Sequence, residues 1–517
     1  MRKSILLFVL LTLFGIPYLL AQGGFRITGQ ILSAEDNLPV IGVSVVEKGT
    51  TNGVITDIDG NYSITVSKSP ATLQFSYVGM KTVEKLFTAA TRYNVIMQPN
   101  TEMVDEVVVV AYGVRKKGTI AGSVSTVKAE KMENVPAAGF DQALQGQTPG
   151  LSVISNSGEP SKAAVFQIRG TNSINSGTSP LFILDGVPIA SSDFNTISPG
   201  DIESISVLKD ASSTSIYGAR AANGVVVITT KRGLSIDKAK VTLRAQYGFS
   251  QLASDGKWTM MNTPERIQFE KEIGLDTGQD YDLLSRTNVN WLKEIFNDRA
   301  PLQNYEISVN RATDRLNYYV SGGFYDQDGI AQNSSFRRYN MRANAEVKAS
   351  NWLKIGTSTM SAYEEVQQAE EGEMAIYTPI AGSRFMLPYW SPYNADGSIA
   401  SENNGTWTGT GQTPIEWMAN NPVSYKKYKV LSTVFADITP IQNLTVRIQF
   451  GADYSHATTF MQSFPSYVIN NEQGTAGRNS SDVLKLSETA TANYRWALND
   501  DHSFNFMLGQ EAMDYQS

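Results

Sequence analysis

The composition of the chain excludes several classes of protein. It has 517 residues, a net charge of −7, no cysteine and only two histidines, His456 and His502. The length predicts more than one domain, and the negative charge provides no basic surface for nucleic acid. Without cysteine there are no disulfides, thiolate ligands or catalytic thiols. The inventory argues against a histidine-based triad or a zinc site. We predict no catalytic residue, no metal site and no cofactor.

The N-terminus has the pattern of a secretory signal peptide. Residues 1–3 form a short basic region, and the apolar run Ile5–Phe14 follows them. An uncleaved anchor is the less favoured alternative, because the run is short for a membrane-spanning helix and Pro17 interrupts it. We assign residues 1–22 as a signal peptide and predict an exported protein.

Residues 25–98 form a predicted compact β-domain. Its turn Asp57–Asn61 could be a calcium loop, but an EF-hand loop needs a bidentate Glu at position 12, and that residue is Lys68. A hairpin turn is therefore favoured. The blocks Ile27–Gly29, Leu38–Val40 and Thr56–Tyr62 resemble carboxypeptidase-D regulatory-like domains, which implies a small β-sandwich without peptidase activity. The strand candidates are Phe25–Ile31, Val40–Glu47, Tyr62–Val66 and Thr72–Tyr77.

A linker, residues 99–113, contains four consecutive valines. β-branched side chains make Val107–Val110 stiff and extended. By spacing alone the run could be an ordinary buried strand, or an edge strand that adds to a partner's sheet through backbone hydrogen bonds. Its place before a second β-rich unit resembles the TonB box of TonB-dependent transporters. The resemblance implies energy coupling to TonB through Asp105, Glu106, Val107, Val108, Val109 and Val110.

Residues 114–233 carry the most specific pattern in the chain. In order, the blocks are ALQGQTPGLSV from Ala143, FQIRGT from Phe166, PLFILDGVPI from Pro180, and DIESISVLKDASSTSIYGARAANGVVVITTK from Asp201. These blocks are similar to the plug of SusC/RagA-type TonB-linked outer-membrane proteins. The plug motif positions are Arg169, Gly170, Asp185, Gly186, Lys209, Asp210, Tyr217, Gly218, Asn223 and Gly224.

The residues of this region predict a mixed α/β fold by themselves. Ile202–Leu208 and Val225–Thr230 are buried-strand candidates joined by the turn-helix Asp210–Tyr217, and Asp185-Gly186 indicates a hairpin turn. Several charged residues could be mistaken for an active site, but ion pairs within the plug or to a barrel wall are the favoured interpretation. These residues are Arg169, Asp185, Lys209, Asp210 and Arg220.

Beyond residue 239 apolar and polar residues alternate. In Val241–Ser250, Tyr339–Lys348 and Leu444–Ser455 one face is apolar and the other is mostly polar or small. A soluble sandwich also alternates, but runs of about ten residues or longer fit strands that cross a membrane. Short turns alternate with longer connections, as in bacterial barrels. The predicted strands are 240–250, 302–313, 316–326, 337–349, 353–364, 429–438, 444–456, 483–497 and 502–513.

Aromatic residues mark two further features. Trp352 and Trp496 adjoin short turns, where an aromatic girdle would lie. The longest connection, about 366–428, is rich in aromatic, amide and hydroxyl groups, which can stack on sugars or grip peptides. Loop packing explains the same composition equally well. The candidate substrate contacts in this loop are Tyr389, Trp390, Trp407 and Trp417.

The predicted fold is mainly β: a small β-sandwich, a mixed α/β plug, and an incomplete transmembrane antiparallel β-barrel over 240–517. The resemblance to SusC/RagA-type proteins implies a barrel of 22 strands, of which the chain would have about nine. Bacterial single-chain barrels have an even number of strands. We therefore expect the chain to be an N-terminal fragment.

The family resemblance implies TonB-dependent import of oligomeric nutrients, glycans or peptides, across the outer membrane. The implied partners are TonB, a SusD-like surface lipoprotein and outer-membrane lipid, and the regulatory-like domain and TonB box would be periplasmic. A siderophore or cobalamin receptor and a surface adhesin or signalling receptor are the alternatives. An enzyme is not expected, because the sequence lacks a metal-ligand cluster.

Overall fold

The computed structural model divides the chain into two compact units, Met1–Glu106 and Val107–Ser517. The predicted signal peptide, Asp105, Glu106 and Trp407 lie outside the described residues. The structure describes residues 24–34, 37–77, 80–98, 107–110, 113–116, 123–128, 132, 135, 138–155, 158–160, 162–170, 177–233, 238–253, 259–275, 278–369, 377–401, 409, 412–465, 473–499 and 502–517.

The first unit is the predicted β-sandwich. Strand β1 pairs with β4, β7 and β8, and a second sheet has the order β3-β2-β5-β6. Both sheets contribute to one core that includes Ile27, Val45 and Phe75, which are fully buried. The strands are β1 Phe25–Ser33, β2 Ser44–Glu47, β3 Gly53–Ile55, β4 Asn61–Val66, β5 Ala71–Ser76, β6 Val83–Phe87, β7 Thr91–Arg92 and β8 Val95–Met97.

The turn at Asp57 differs from its prediction as a hairpin. Asp57 Oδ1 accepts hydrogen bonds from the backbone N–H groups of Asp59, at 3.0 Å, and Asn61, at 2.8 Å. The strands on either side of it, β3 and β4, belong to different sheets. The turn therefore carries the chain between the layers of the sandwich. Among the described residues, no group of three His, Cys, Asp or Glu could hold a metal ion.

One acidic residue is buried in this sandwich. The Glu47 carboxylate accepts hydrogen bonds from Asn52 Nδ2, at 2.8 Å, and Ser67 Oγ, at 3.0 Å. The hydrogen bond from Asn52, with those from Ser67, outweighs burial and lowers the pKa of Glu47. The carboxylate therefore ties β2 to the segment that follows β4.

The second unit begins with the valine run. Val107–Val110 is strand β9, and it pairs antiparallel with β10, Gly113–Lys116. The run therefore forms one strand of a two-stranded hairpin. Each strand of such a hairpin has one edge that is not paired within the hairpin, and that edge can accept another strand.

Residues 123–233 form a mixed domain that we call the plug. Its five-stranded sheet has the order β11-β16-β17-β14-β15, in which β14 and β17 are parallel, and β12 and β13 form a separate antiparallel pair. The strands are β11 Val124–Lys128, β12 Leu151–Ile154, β13 Val165–Ile168, β14 Leu181–Leu184, β15 Val187–Ile189, β16 Ile202–Leu208 and β17 Val225–Thr230. The α-helices are α1 Phe140–Ala143 and α2 Ala211–Thr214, and the 3₁₀ helices are Ser191–Thr196, Pro199–Asp201 and Ser215–Ala221.

Four phenylalanines form the centre of the plug core. The ring of Phe194 packs edge to face against those of Phe140, Phe166 and Phe182, with centroids 4.8, 5.4 and 4.6 Å away. Phe194 is fully buried, so it fixes the 3₁₀ helix Ser191–Thr196 to the body of the plug. The neighbouring Asp193 is thereby held at a defined position on the plug surface.

The rest of the unit is a nine-stranded antiparallel sheet in sequence order, which we call the wall. All nine predicted strands are confirmed, although several extend further toward the long connections. The strands are β18 Lys240–Ser250, β19 Ala300–Ala312, β20 Leu316–Asp328, β21 Ser335–Lys348, β22 Leu353–Gln368, β23 Val423–Ile441, β24 Leu444–Ser463, β25 Thr475–Ala497 and β26 Ser503–Gln516.

The long connections contain the remaining helices. These are α3 Thr263–Glu272, α4 Tyr281–Leu284, α5 Trp291–Ile295, α6 Pro379–Phe385 and α7 Pro414–Asn420. None of the helices in the described residues is long and apolar enough to cross a membrane. α5 shares a hydrophobic core with residues of the second long connection, including Met386 and Met418. The two long connections are therefore packed into one layer at the same end of the wall.

The two faces of the wall differ as the alternation predicts. On one face Leu243, Met341 and Phe450 are all more than half exposed. On the other face Arg342 and Asn344 are buried against the plug. The exposed face also carries a row of aromatic residues in register, one from each of five neighbouring strands: Tyr305, Phe324, Tyr339, Tyr363 and Tyr428.

A row of alternating charges lies next to this aromatic row. It is two residues nearer the long connections, and its members are Asp326, Arg337, Glu365 and Lys426. Successive members are paired across strands at 3.0, 3.8 and 3.0 Å. The exposed face therefore changes from aromatic to charged residues over two residues along each strand.

Candidate functional site between the plug and the wall

Asp193 of the plug is bound by two lysines of the wall. Its Oδ1 lies 2.7 Å from Lys427 Nζ and its Oδ2 lies 2.9 Å from Lys429 Nζ. The lysines are two residues apart on β23, so their side chains point to the same face of the sheet. Burial alone would raise the pKa of Asp193, but the two ammonium groups outweigh it and hold the pKa at about 2.

These charges continue into the wall. Lys429 also contacts the carboxylate of Asp453, and Lys485 Nζ lies 3.6 Å from Asp453 Oδ2. Lys427 donates a second hydrogen bond to the backbone carbonyl of Ser192, at 2.9 Å. Both lysine side chains that reach Asp193 are at most 5% exposed. Because the charges are buried and paired, removal of one partner is expected to be expensive.

Asp185 makes a second contact between plug and wall. Its Oδ2 lies 3.1 Å from Arg342 Nη1 and accepts a hydrogen bond from Ser358 Oγ at 3.1 Å. Within the plug, Asp185 accepts one hydrogen bond from the N–H of Thr230, at 3.0 Å, and another from the Thr230 hydroxyl, at 2.6 Å. Burial would raise the pKa of Asp185, but Arg342 and then Arg232 reverse the effect and lower it.

Backbone conformation presents Asp185 to the wall. Asp185 and Gly186 are the two central residues of the hairpin between β14 and β15, with φ values of 47° and 91°. Two positive φ angles define a tight hairpin turn of the type that Asp-Gly favours. The predicted turn is confirmed, and its first residue is also the one that binds the wall arginine.

Arg338 holds two plug segments at once. Its Nη1 donates to the backbone carbonyls of Ala138, at 2.5 Å, and Asn195, at 2.7 Å. The guanidinium lies 5.5 Å from the centroid of the Tyr325 ring, and the side chain is fully buried. A planar group with several fixed donors suits this role better than an ammonium.

A further group of contacts involves the plug segment before β16. Asp201 Oδ1 accepts hydrogen bonds from the Tyr319 hydroxyl, at 3.0 Å, and the Ser321 hydroxyl, at 2.5 Å. Ser198 donates to Glu306, which also pairs with Arg244 at 3.1 Å. The polar contacts between plug and wall therefore extend over several strands, and Met360 and Leu431 of the wall also join the hydrophobic core of the plug.

Four of the five charged positions singled out in the plug make ion pairs: Arg169, Asp185, Asp210 and Arg220. Arg169 pairs with Asp210 at 2.5 Å, and Asp210 also accepts a hydrogen bond from the N–H of Ser123 at 2.5 Å. The hydrogen bond from Ser123, with the pairing to Arg169, outweighs burial and lowers the pKa of Asp210. Lys209 donates to Ser125 Oγ at 2.6 Å.

The other plug motif positions also have defined places. Arg220 reaches the wall, where its Nη2 lies 2.7 Å from Glu511. Asn223 Nδ2 donates to the carbonyl of Gly177 at 2.7 Å, and Tyr217 is buried. All four glycines of the motif have positive φ: Gly170, Gly186, Gly218 and Gly224. None of these contacts brings the motif residues together at one centre among the described residues.

The candidate loop residues are packed within the long connections. Tyr389 is 5% exposed and its hydroxyl donates to Glu270 at 2.9 Å. Trp390 packs on the core formed by the two long connections. The ring of Trp417 stacks on that of Tyr377 with centroids 4.0 Å apart. Loop packing accounts for these positions, and contact with a substrate remains a prediction.

Sequence reasoning missed the residues that form the contacts at Asp193 and Arg338. For Lys427 no signal was available, because the predicted strand begins at 429. Lys427 and Lys429 share a face only because β23 begins at Val423. Arg338 has the same parity as Arg342, which the alternation had placed on the polar face. What the sequence could not supply was the plug partner of each cation.

Comparison with known proteins agrees with this arrangement. Residues 116–225 match the model of the TonB-dependent receptor plug domain, and residues 27–109 match that of the CarboxypepD_reg-like domain. TonB-dependent receptor P26 of Formosa agariphila is 32% identical over 93% of this chain and 48% of its own. TonB-dependent receptor SusC of Bacteroides thetaiotaomicron is 30% identical over 92% and 49%, respectively.

Solved structures give the same result. The RagAB peptide importer in its open-open state is 31% identical, with a TM-score of 0.69, over 79% of this chain and 49% of that chain. In its closed-closed state it is 30% identical, with a TM-score of 0.67. The chain spans about half the length of the curated relatives it matches.

The chain belongs to the TonB-dependent receptors, a class of outer-membrane proteins. Within that class it is of the SusC/RagA type.

Proposed function

We propose that the protein takes part in TonB-dependent import of oligomeric nutrients across the outer membrane. The observation that carries this proposal is a plug seated by polar contacts on one face of a wall whose other face is exposed and apolar. Polar contacts can be exchanged for water when the plug moves, whereas an apolar interface would resist hydration. A peptide substrate fits the likeness to the RagAB peptide importer, and glycans are the other class that the family resemblance implies.

The proposed partners follow from the same likeness. A SusD-like surface lipoprotein would capture the substrate, and TonB would pull on the region of Asp105–Val110. In this arrangement the regulatory-like domain and the valine run face the periplasm, and the apolar face of the wall contacts outer-membrane lipid. The substrate is carried and no bond in it is broken.

The valine run supports a specific mode of coupling. Strand addition uses backbone N–H and C=O groups, so it tolerates changes of side chain but requires the N–H. Val108 and Val109 are successive residues of β9, so their N–H groups point to opposite edges of the strand. Proline at both positions removes a donor from each edge, and threonine keeps both donors and the preference for extended conformation.

The test compares these two variants in the full-length protein in cells. We expect the double variant Val108→Pro, Val109→Pro to abolish uptake of a labelled peptide or glycan oligomer and to leave its surface binding unchanged. The matched variant Val108→Thr, Val109→Thr should retain both, and deletion of Val107–Val110 should behave as the proline variant does. Undiminished uptake in the proline variant would refute coupling through this strand.

A further inference from the structure

Glu364 is a buried carboxylate with unused hydrogen-bonding capacity. It lies on the plug-facing side of β22 and is 3% exposed. Its Oε1 is buried without a hydrogen-bond partner among the described residues. Such an oxygen is uncommon in a folded protein, because burying an unsatisfied acceptor is unfavourable.

The neighbours of Glu364 are cations that are occupied elsewhere. The strand register places Arg338 directly opposite it on β21 and Lys427 directly opposite it on β23. Arg338 is engaged by the plug carbonyls of Ala138 and Asn195. Lys427 is engaged by Asp193 and the carbonyl of Ser192. Two wall cations therefore flank a wall carboxylate while both donate to the plug.

Plug displacement would remove the groups that satisfy these cations. When the segment around Ser191–Thr196 leaves the wall, Asp193 and the carbonyl of Asn195 leave with it. Lys429 keeps a partner in the wall, because Asp453 contacts it. Arg338 and Lys427 would lose their acceptors on the plug, although Arg338 Nε keeps Asn340 Oδ1 of the wall at 3.2 Å. Until water enters the space that the plug leaves, an unpaired charge there is strongly unfavourable.

We propose that Glu364 is a positioning residue for plug release, which receives Arg338 and Lys427 as the plug departs. Side chains directly opposite on neighbouring strands have Cβ atoms about 4.5–5.5 Å apart. The long arginine and lysine side chains can therefore reach the carboxylate by changing rotamers, without movement of the backbone. The wall carries its own replacement for the acceptors that the plug withdraws. This inference rests on the proposed displacement of the plug.

The inference predicts opposite effects for two acidic residues. Asp193 stabilises the docked state, so Asp193→Asn should speed detachment of the plug. Glu364 stabilises the state that follows, so Glu364→Gln should slow detachment. A purely structural role for Glu364 would instead loosen the wall and change detachment in the same direction as Asp193→Asn.

The experiment is force spectroscopy on the full-length protein in lipid vesicles, with the pull applied to the N-terminal end of the plug. At one fixed force we expect Glu364→Gln to lower the detachment rate about tenfold or more, which is the ratio for about 1.4 kcal/mol. Glu365→Gln is the matched control, because this neighbour faces outward and pairs with Lys426. It should leave the rate unchanged. Glu364→Asp, which keeps the charge, should stay closer to the natural rate than Glu364→Gln.

The outcomes separate this inference from the proposed function. An unchanged or faster rate in Glu364→Gln would overturn the role of Glu364, whatever the uptake assay shows. Normal uptake by the proline variant in cells would count against TonB-driven import. The detachment rates would still test the role of Glu364. If Glu364→Gln does not fold, the combined variant Glu364→Gln, Lys427→Met is compared with Lys427→Met alone. Equal detachment rates in these two would overturn the inference, because Arg338 would still lack its replacement acceptor in the combined variant.

Discussion

Replacing Asp193 by Asn tests whether the buried charges hold the plug on the wall. The change removes a negative charge from two ammonium groups at 2.7 and 2.9 Å. Removing one partner of a buried pair is worth about 3–5 kcal/mol. The lower end applies, because Lys427 keeps the carbonyl of Ser192 and Lys429 keeps Asp453. About 3 kcal/mol corresponds to roughly a 100-fold change in the docking equilibrium.

Hydrogen–deuterium exchange of the full-length protein measures this change. Opening of the segment around residues 190–197 should increase about 100-fold in the variant, as seen in its exchange rates. Asp326→Asn is the control, because Asp326 forms an exposed pair with Arg337, and exposed pairs contribute only about 0–1 kcal/mol. Equal exchange of residues 190–197 in the two variants would refute the reasoning that burial makes the Asp193 contacts strong.

Three further predictions concern pH, the Asp-Gly turn and the first unit. The pKa of Asp193 is lowered to about 2, so its contribution to the free energy of plug docking should be complete above pH ~4 and decline as pH falls toward 2. In Asp193→Asn this pH dependence should disappear. The measurement is the amide exchange rate of residues 190–197 divided by the intrinsic exchange rate at each pH. Gly186→Ala should destabilise the β14–β15 hairpin by about 1–2 kcal/mol because its φ is 91°, with Gly248→Ala, which meets nothing within 4 Å, as the neutral control in thermal unfolding. Glu47→Gln should raise exchange of residues 44–47 by the equivalent of about 1–2 kcal/mol, because it weakens hydrogen bonds to a charged acceptor, and unchanged exchange would show that Asn52 and Ser67 do not depend on the charge.

The strands of the wall could be predicted because each has one apolar and one polar face. The missed ends have a physical explanation in β23, which begins at Val423 and not at 429. Residues 424–427 are Ser-Tyr-Lys-Lys, so both faces are polar or amphipathic there and the alternation disappears. Backbone hydrogen bonds can extend a strand beyond its apolar residues, but such an extension produces no alternation of apolar and polar residues in the sequence. The helical pattern from Thr263 was visible because Asn262 and Glu265 form a capping box.

The candidate site could be predicted only in part. Asp185 was identifiable because its turn requires Asp-Gly, and Arg342 because it falls on the polar face of its strand. Asp193 gave no comparable signal, since its 3₁₀ helix has no periodic pattern and its partners lie more than 200 residues further along the chain. Pairing between distant segments depends on how the plug sits against the wall, and a local pattern carries no information on that placement.

The charge row Asp326, Arg337, Glu365 and Lys426 has a mechanical consequence. In a bilayer, this row would stand at the edge of the hydrocarbon nearest the long connections, with the aromatic row just inside it. Under the proposed mechanism, a pull on the plug toward the short turns would be passed through Asp193 and Asp185 to the wall. It would draw the charge row into the hydrocarbon. Each buried basic residue would oppose that movement by up to about 2–4 kcal/mol. Under the proposed pull, the charge row would keep the wall at its depth, and the applied work would go into separating the plug.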